Sequence, residues 1–197
     1  MNRILSCLLL LTVCLHAEDI DFADNTIVIG KDQRVGRIKP GMKAADLEGL
    51  YGKENFKLAE LPGPEATTYE GAKLFEGTDR ELNIAWEPLD ESKKIVGEVI
   101  IIGKAWKFEN GLKEGLGLAE VEKINGKSFK VNGFGWDLGG WANFEGGKLA
   151  GKVTVRFDPK SNNYPDSVNG DRVLSSSSKV LRAVKPYVGE HISVSMR

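Results

Sequence analysis

One stretch of this chain is written twice. Ile38–Lys53 reads IKPGMKAADLEGLYGK, and 74 positions later Leu112–Lys127 reads LKEGLGLAEVEKINGK. Three further echoes accompany it: IVIGK at 27–31 and IIIGK at 100–104, YEGAKL at 69–74 and FEGGKL at 144–149, LNIAWEP at 82–88 and VTVRFDP at 153–159. All four keep the same order at offsets of 71 to 75 residues, the signature of an internal duplication. A chain built this way must fold as two copies of one small unit, which excludes most architectures available at this length.

The unit can be read physically. A β-branched run ending in Gly-Lys is a strand and a turn. Leu47, Leu50 and Tyr51 in one copy, and Leu118, Val121 and Ile124 in the other, recur at helical spacing and form one apolar stripe. Gly52 and Gly126 stand where a left-handed residue ends a helix. FKL at 56–58 and FKV at 129–131 begin strands, and the pairs Glu70-Gly71 and Glu145-Gly146 read as hairpin turns. A last echo, VGEVIII at 96–102 against VGEHISV at 188–194, closes each copy with a strand and sets His191 at the counterpart of Val99. The fold class expected is α+β: a tandem duplication of a short-helix plus antiparallel-sheet unit, with the helices packed on one face of the sheet or sheets. The boundaries read 18–25 as a flexible N-terminal segment, 26–99 as the first repeat and 100–197 as the second.

Residues 1–17 stand outside this pattern. Arg3, the apolar run Ile4–Leu15 and the small Ala17 make a secretory signal peptide, too short to span a bilayer. Export to the periplasm or medium is the expected localisation, with lipid attachment through Cys14 as a minority alternative. Cys7 and Cys14 are the only cysteines, so the rest of the chain has neither disulfides nor thiol chemistry. Without Arg3, 26 of the 27 Lys+Arg face 28 Asp+Glu, interspersed along the chain; this excludes a nucleic-acid footprint. No second apolar run is a transmembrane span, and no residue pattern calls for a cofactor or metal.

The pattern Ile29, Gly30, Gly36, Ile38, Gly41, Met42, then a short helix, Gly-Lys and strands, resembles the repeats of β-lactamase-inhibitor-protein-like folds and of small exported lipoproteins of outer-membrane assembly. In the inhibitor family, two tandem repeats form a concave sheet that grips another protein, so the resemblance implies a binder of that kind. Inhibitor-type members carry disulfides, and this chain departs from them there. The stretch INGKSFKVNGFGWDLGG also resembles exported bacterial proteins to which no activity is attached.

Features present in one copy only are freer to report function. FGWDLGGWANF holds Phe134, Trp136, Asp137, Trp141 and Phe144, with no matching cluster in the first half. Large rings beside glycines suit protein hot spots and sugar stacking, and also sheet junctions. The glycines there lack the spacing of a phosphate loop. Ser176-Ser177-Ser178-Lys179 fits Ser-x-x-Lys but has no companion motifs; Ser175 or Ser176 is read as the cap of a helix running to Lys185. Asp158–Asp171 is rich in oxygen donors without calcium-loop spacing and reads as a mobile surface loop. The carboxylates Glu70/Glu145, Glu87/Asp158 and Glu98/Glu190 sit at matching positions and are assigned to turns and strand ends. The expectation is therefore an exported, non-catalytic protein that binds another protein or a cell-envelope component through an open sheet face and the 134–144 segment. A carbohydrate- or cell-wall-binding module is the alternative, and a hydrolase with an unrecognised carboxylate site the second.

Overall fold

The computed structural model of the chain describes residues 24–88 and 94–197. The expected signal peptide at 1–17, Cys14 and most of the 18–25 segment lie outside the described residues. The architecture is α+β, and no described helix is long and apolar enough to cross a membrane.

Helices α1 (Ala44–Tyr51) and α2 (Leu118–Asn125) are eight residues each. At that length a helix is marginal alone and needs a surface to lie on. Both start the same way: the Asp46 carboxylate accepts from the Lys43 N–H at 2.8 Å, and the Glu120 carboxylate from the Gly117 N–H at 2.8 Å. Each is half of a capping box. Both stop at a glycine with φ of 81°, Gly52 or Gly126, where other residues would be strained. Leu47 and Tyr51 are buried from α1; Leu118, Val121 and Asn125 from α2. Asn125 replaces a tyrosine in the core and is satisfied there, accepting from the Leu149 N–H at 3.1 Å and donating to the Lys127 carbonyl at 3.1 Å.

The first half continues as a meander of β3 (Phe56–Pro62), β4 (Thr68–Leu74), β5 (Leu82–Trp86) and β6 (Val96–Ile101). The second runs β8 (Lys130–Asn132), β9 (Ala142–Asn143), β10 (Val153–Asp158) and β12 (Tyr187–Ser195), with β11 (Val173–Ser175) added outside β8. A bridge from Trp141 to Arg156 links β9 to β10. The six-stranded sheet has the order β10-β12-β6-β5-β4-β3, so the last strands of the two halves, β12 and β6, pair inside it. A smaller sheet ties the start of the chain to the second half. Strand β1 (Thr26–Val28) pairs antiparallel with β2 (Arg34–Val35) and parallel with β7 (Lys107–Phe108).

Register shows how the halves relate. In the first, Ile84 faces Val99 and, past a bulge, Trp86 faces Val96. In the second, Val155 faces Ile192 and, past a bulge, Phe157 faces Val188. Beyond the bulge Val99 therefore corresponds to Ile192, not to His191, because β12 holds one residue more in its bulge than β6 does. A one-residue slip exchanges the faces of a strand, so His191 takes the place of Glu98. This corrects the Val99–His191 and Glu98–Glu190 equivalences read from the sequence. Ile100 corresponds to Ser193, and these two residues face each other across the β6–β12 ladder. A local two-fold axis through that pair carries Val99–Val194 onto Ile192–Ile101, which is also a pair.

The YEGAKL echo is likewise not structural. Glu70 and Gly71 lie inside β4, paired with Glu60 and Ala59, whereas Glu145 and Gly146 lie in the turn after β9. The β3–β4 turn is instead closed by Gly63 N–H donating to the Thr67 carbonyl at 2.7 Å.

One face of the sheet is core. The row Ala72, Ile84, Val99, Val194, Val153 and the neighbouring row Leu74, Leu82, Ile192, Val155 are buried, together with Leu47 and Tyr51 of α1 and Val121 of α2. The opposite face carries Lys73, Asn83, Ile100 and Thr154 in one row, all half-buried. Truncating Ile84→Ala on the core face is expected to cost about 2–5 kcal/mol in urea unfolding, while Ile102→Ala, 48 % exposed, costs under about 1 kcal/mol. Equal effects would contradict this division of faces.

Candidate functional site

Corresponding positions on the second face differ sharply in size. In the first half the row Gly71, Ala85, Glu98 runs across β4, β5 and β6. Its counterparts in the second half are Trp141, Arg156 and His191, since Trp141 bridges Arg156 as Gly71 pairs with Ala85. A smooth lane thus faces a raised ridge across the axis. Gly71 is required on its side, because a Cβ there would come within 2.4 Å of Leu61 Cδ1, and Leu61 is fully buried over that lane.

The ridge is internally packed. The His191 ring meets Trp141 edge to face, 4.6 Å between centroids at 77°. The Arg156 guanidinium lies 5.9 Å from the Trp141 ring and its Nε donates to the Gly139 carbonyl at 2.9 Å, which holds the cation over the ring. Beside the ridge is a cleft of about 430 Å³ lined by Ile100, Ile102, Arg156, Asp158, Tyr187 and His191 among others. On the axis, Ser193 is fully buried and its hydroxyl donates to the Glu98 carboxylate.

These groups feel each other's charge. Burial lowers the His191 imidazole below its ordinary value of 6.5, Glu98 opposes that, and Arg156 adds to it. Burial raises the Tyr69 phenol, and the Glu98 carboxylate raises it further. Glu98 therefore acts on residues from β4 and β12 at once.

The five residues singled out in the sequence separate. Phe134 and Phe144 are core, 3 % exposed each; Phe134 packs on Tyr164 at 5.6 Å and Phe144 on Phe129 at 4.9 Å. Buried in this way they offer a partner no surface. Trp136 is half-buried and closes on its own loop, Nε1 donating to the Gly133 carbonyl at 2.8 Å. Asp137 is exposed beside Leu138. Trp141 alone joins the second face. Arg156 went unnoticed in the sequence, and His191 and Glu98 were read there only as strand residues; the one signal that could join them was the alternation of β10 and β12, which the bulge interrupts.

Other motifs resolve into packing. Ser178, not the expected Ser175 or Ser176, accepts from the Leu181 N–H at 3.1 Å and caps α3 (Lys179–Ala183), which stops short of Lys185. Buried Ser176 accepts from the Phe129 N–H at 2.9 Å and donates to Glu122 at 2.6 Å, while Arg182 pairs with the same carboxylate; this latches α2 to α3. The Asp158–Asp171 loop is anchored where mobility was expected: Val168 is fully buried, its carbonyl accepts from the Phe134 N–H at 2.8 Å, and the Gly170 N–H donates to the Phe134 carbonyl at 2.8 Å. Among the described residues no three carboxylate or imidazole groups converge as a metal set would.

No family model matches the chain, and neither a curated protein nor a solved structure matches it significantly.

In an NMR titration His191 is expected to protonate below 6.5, lower still in Glu98→Gln and higher in Arg156→Ala. The sign for stability follows from linkage: a depressed folded pKa gives stabilisation that is complete above the unfolded value and is lost as pH falls through the folded one. A His191 value above 6.5 would contradict the packing described.

Proposed function

We propose that this is an exported, non-catalytic binding protein that holds another protein, an envelope component or an enzyme it inhibits, on the second sheet face. The observation that carries the reading is the Trp141–Arg156–His191 ridge beside the two-fold axis, in the half where the sheet departs from its own repeat. Trp and Arg are the side chains that dominate protein hot spots, and Ile102 at 48 % exposure adds apolar area next to them. Two halves joined in one sheet also agree with the resemblance to inhibitor-like repeats, and the leader at 1–17 with export.

Trp141 favours a protein partner over a sugar. His191 and Arg156 already pack on its ring, whereas sugar stacking needs a free ring face. Recognition on this reading is area burial around a preorganised anchor, with little side-chain entropy left to lose.

Affinity capture from the envelope fraction of the source organism tests it. Trp141→Ala and Arg156→Ala are expected to reduce recovery of a specific protein about tenfold or more, and Trp136→Ala to leave it unchanged. Equal recovery by all three variants and the parent removes the ridge from the function.

A further inference from the structure

The two halves treat their outer sheet edges differently. Strand β8 pairs with β9 on one side and is covered on the other by β11, with Leu174 opposite Val131, Val173 opposite Asn132 and Ser175 opposite Lys130. The counterpart of β8 is β3. Lys130 faces Asn143 as Lys57 faces Lys73, and Val131 faces Ala142 as Leu58 faces Ala72. Yet among the described residues β3 is the terminal strand of its sheet. The effect on exposure is large: Val131, under β11, is 0 % exposed, whereas Leu58 is 48 % exposed.

The main chain of β3 is set for a neighbour. The turn bond between Gly63 and Thr67, and the Phe75 N–H to Asn55 carbonyl bond at 3.0 Å at the other end, mark which residues bond inward to β4. Alternation along an antiparallel ladder then turns the N–H and C=O groups of Phe56, Leu58 and Glu60 outward. In the second half the counterpart positions are all taken: the Ser176 N–H donates to the Phe129 carbonyl at 2.9 Å, the Ser176 hydroxyl accepts from the Phe129 N–H at 2.9 Å, and the Gly133 N–H donates to the Arg172 carbonyl at 2.8 Å. Strand β3 is seven residues long, against the three of β11, and only its last residue, Pro62, lacks an N–H.

We infer that the β3 edge is a strand-addition site for an extended segment of another polypeptide, which pairs antiparallel with Lys57–Glu60 and sets an aliphatic side chain opposite Leu58. The template is the chain's own β11. It supplies an aliphatic residue opposite Val131, a small hydroxyl residue opposite Lys130, and a serine that saturates the preceding phenylalanine. Main-chain pairing supplies the affinity of such a complex, and the aliphatic side chain its register. The inference is independent of the Trp141 ridge, which lies across the axis in the other half, and each stands or falls without the other.

The probe is a fluorescein-labelled peptide of the β11 sequence, Asp171–Ser178 (DRVLSSSS), added to the full chain. Polarisation should show saturable binding, weakened about tenfold or more by Leu58→Asp in the protein, by Glu60→Pro, and by Leu174→Asp in the peptide. Leu58 is exposed, so its variant keeps the fold even where proline disturbs it, and an unchanged thermal midpoint verifies this. Hydrogen exchange should slow about tenfold at the Leu58 and Glu60 amides on peptide addition. No saturable binding, binding indifferent to these substitutions, or protection appearing at Lys130–Asn132 instead would overturn the inference. So would dimerisation of the chain alone in sedimentation, abolished by Glu60→Pro, since it would give the edge to a second copy.

Discussion

The antiparallel ladder between β6 and β12 is the contact through which the two halves become one sheet. Each half alone is a short helix on a small meander and would bury a smaller fraction of its surface than the two halves joined. Pairing Ile101 with Ile192 and Val99 with Val194 aligns both core rows across the join, so the apolar side chains of six strands form one continuous layer. The parallel pairing of β1 with β7 adds a second tie between the halves. Both helices, the bulges and the ridge are positioned relative to this join.

The same ladder explains where novelty could arise. Two-fold repetition leaves corresponding residues under equal backbone constraint, so differences between them fall on side chains. On the core face the differences are modest, Ile84 against Val155 or Trp86 against Phe157. On the second face they are not: Gly71, Ala85 and Glu98 stand against Trp141, Arg156 and His191. A bulge one residue longer in β12 creates part of that contrast by turning His191 outward and Ile192 inward. Bulges serve this purpose elsewhere, re-aiming a side chain without disturbing the strands around it.

Much of the fold was legible in the sequence because its signals were local. The helix stripes, their glycine stops and the FKL and FKV strand starts depend on a few neighbouring residues, and they occur twice. What escaped depended on pairing. VGEVI and VGEHI match in four letters of five, yet the bulge shifts their structural match by one residue, which no single strand reveals. YEGAKL and FEGGKL match as well, but Gly71 is a strand residue because Leu61 needs the space above it, and Gly146 is a turn residue with φ of 71°. Of the candidate site, Trp141 was visible as a large ring without a counterpart. Phe134 shared that mark, and Phe144, read opposite Tyr69, lay in the same segment; both proved to be core, placed there by the anchored 158–171 loop and by Phe129. Arg156 and His191 carry no local mark at all; only the sheet brings them to Trp141.

Ile100 and Ser193 face each other on the axis joining the halves, and the rest of the surface is placed by that pair. Disulfide trapping tests it, in a chain with Cys7 and Cys14 replaced by serine so that no other thiol is present. Directly paired strand residues satisfy disulfide geometry and one-residue offsets, on opposite faces, do not. The Ile100→Cys/Ser193→Cys chain should therefore oxidise to a cross-linked form under mild conditions, and Ile100→Cys/Ile192→Cys should stay reduced. Cross-linking of the second pair in preference to the first would contradict the register, and with it the placement of His191, Trp141 and Arg156 on one surface.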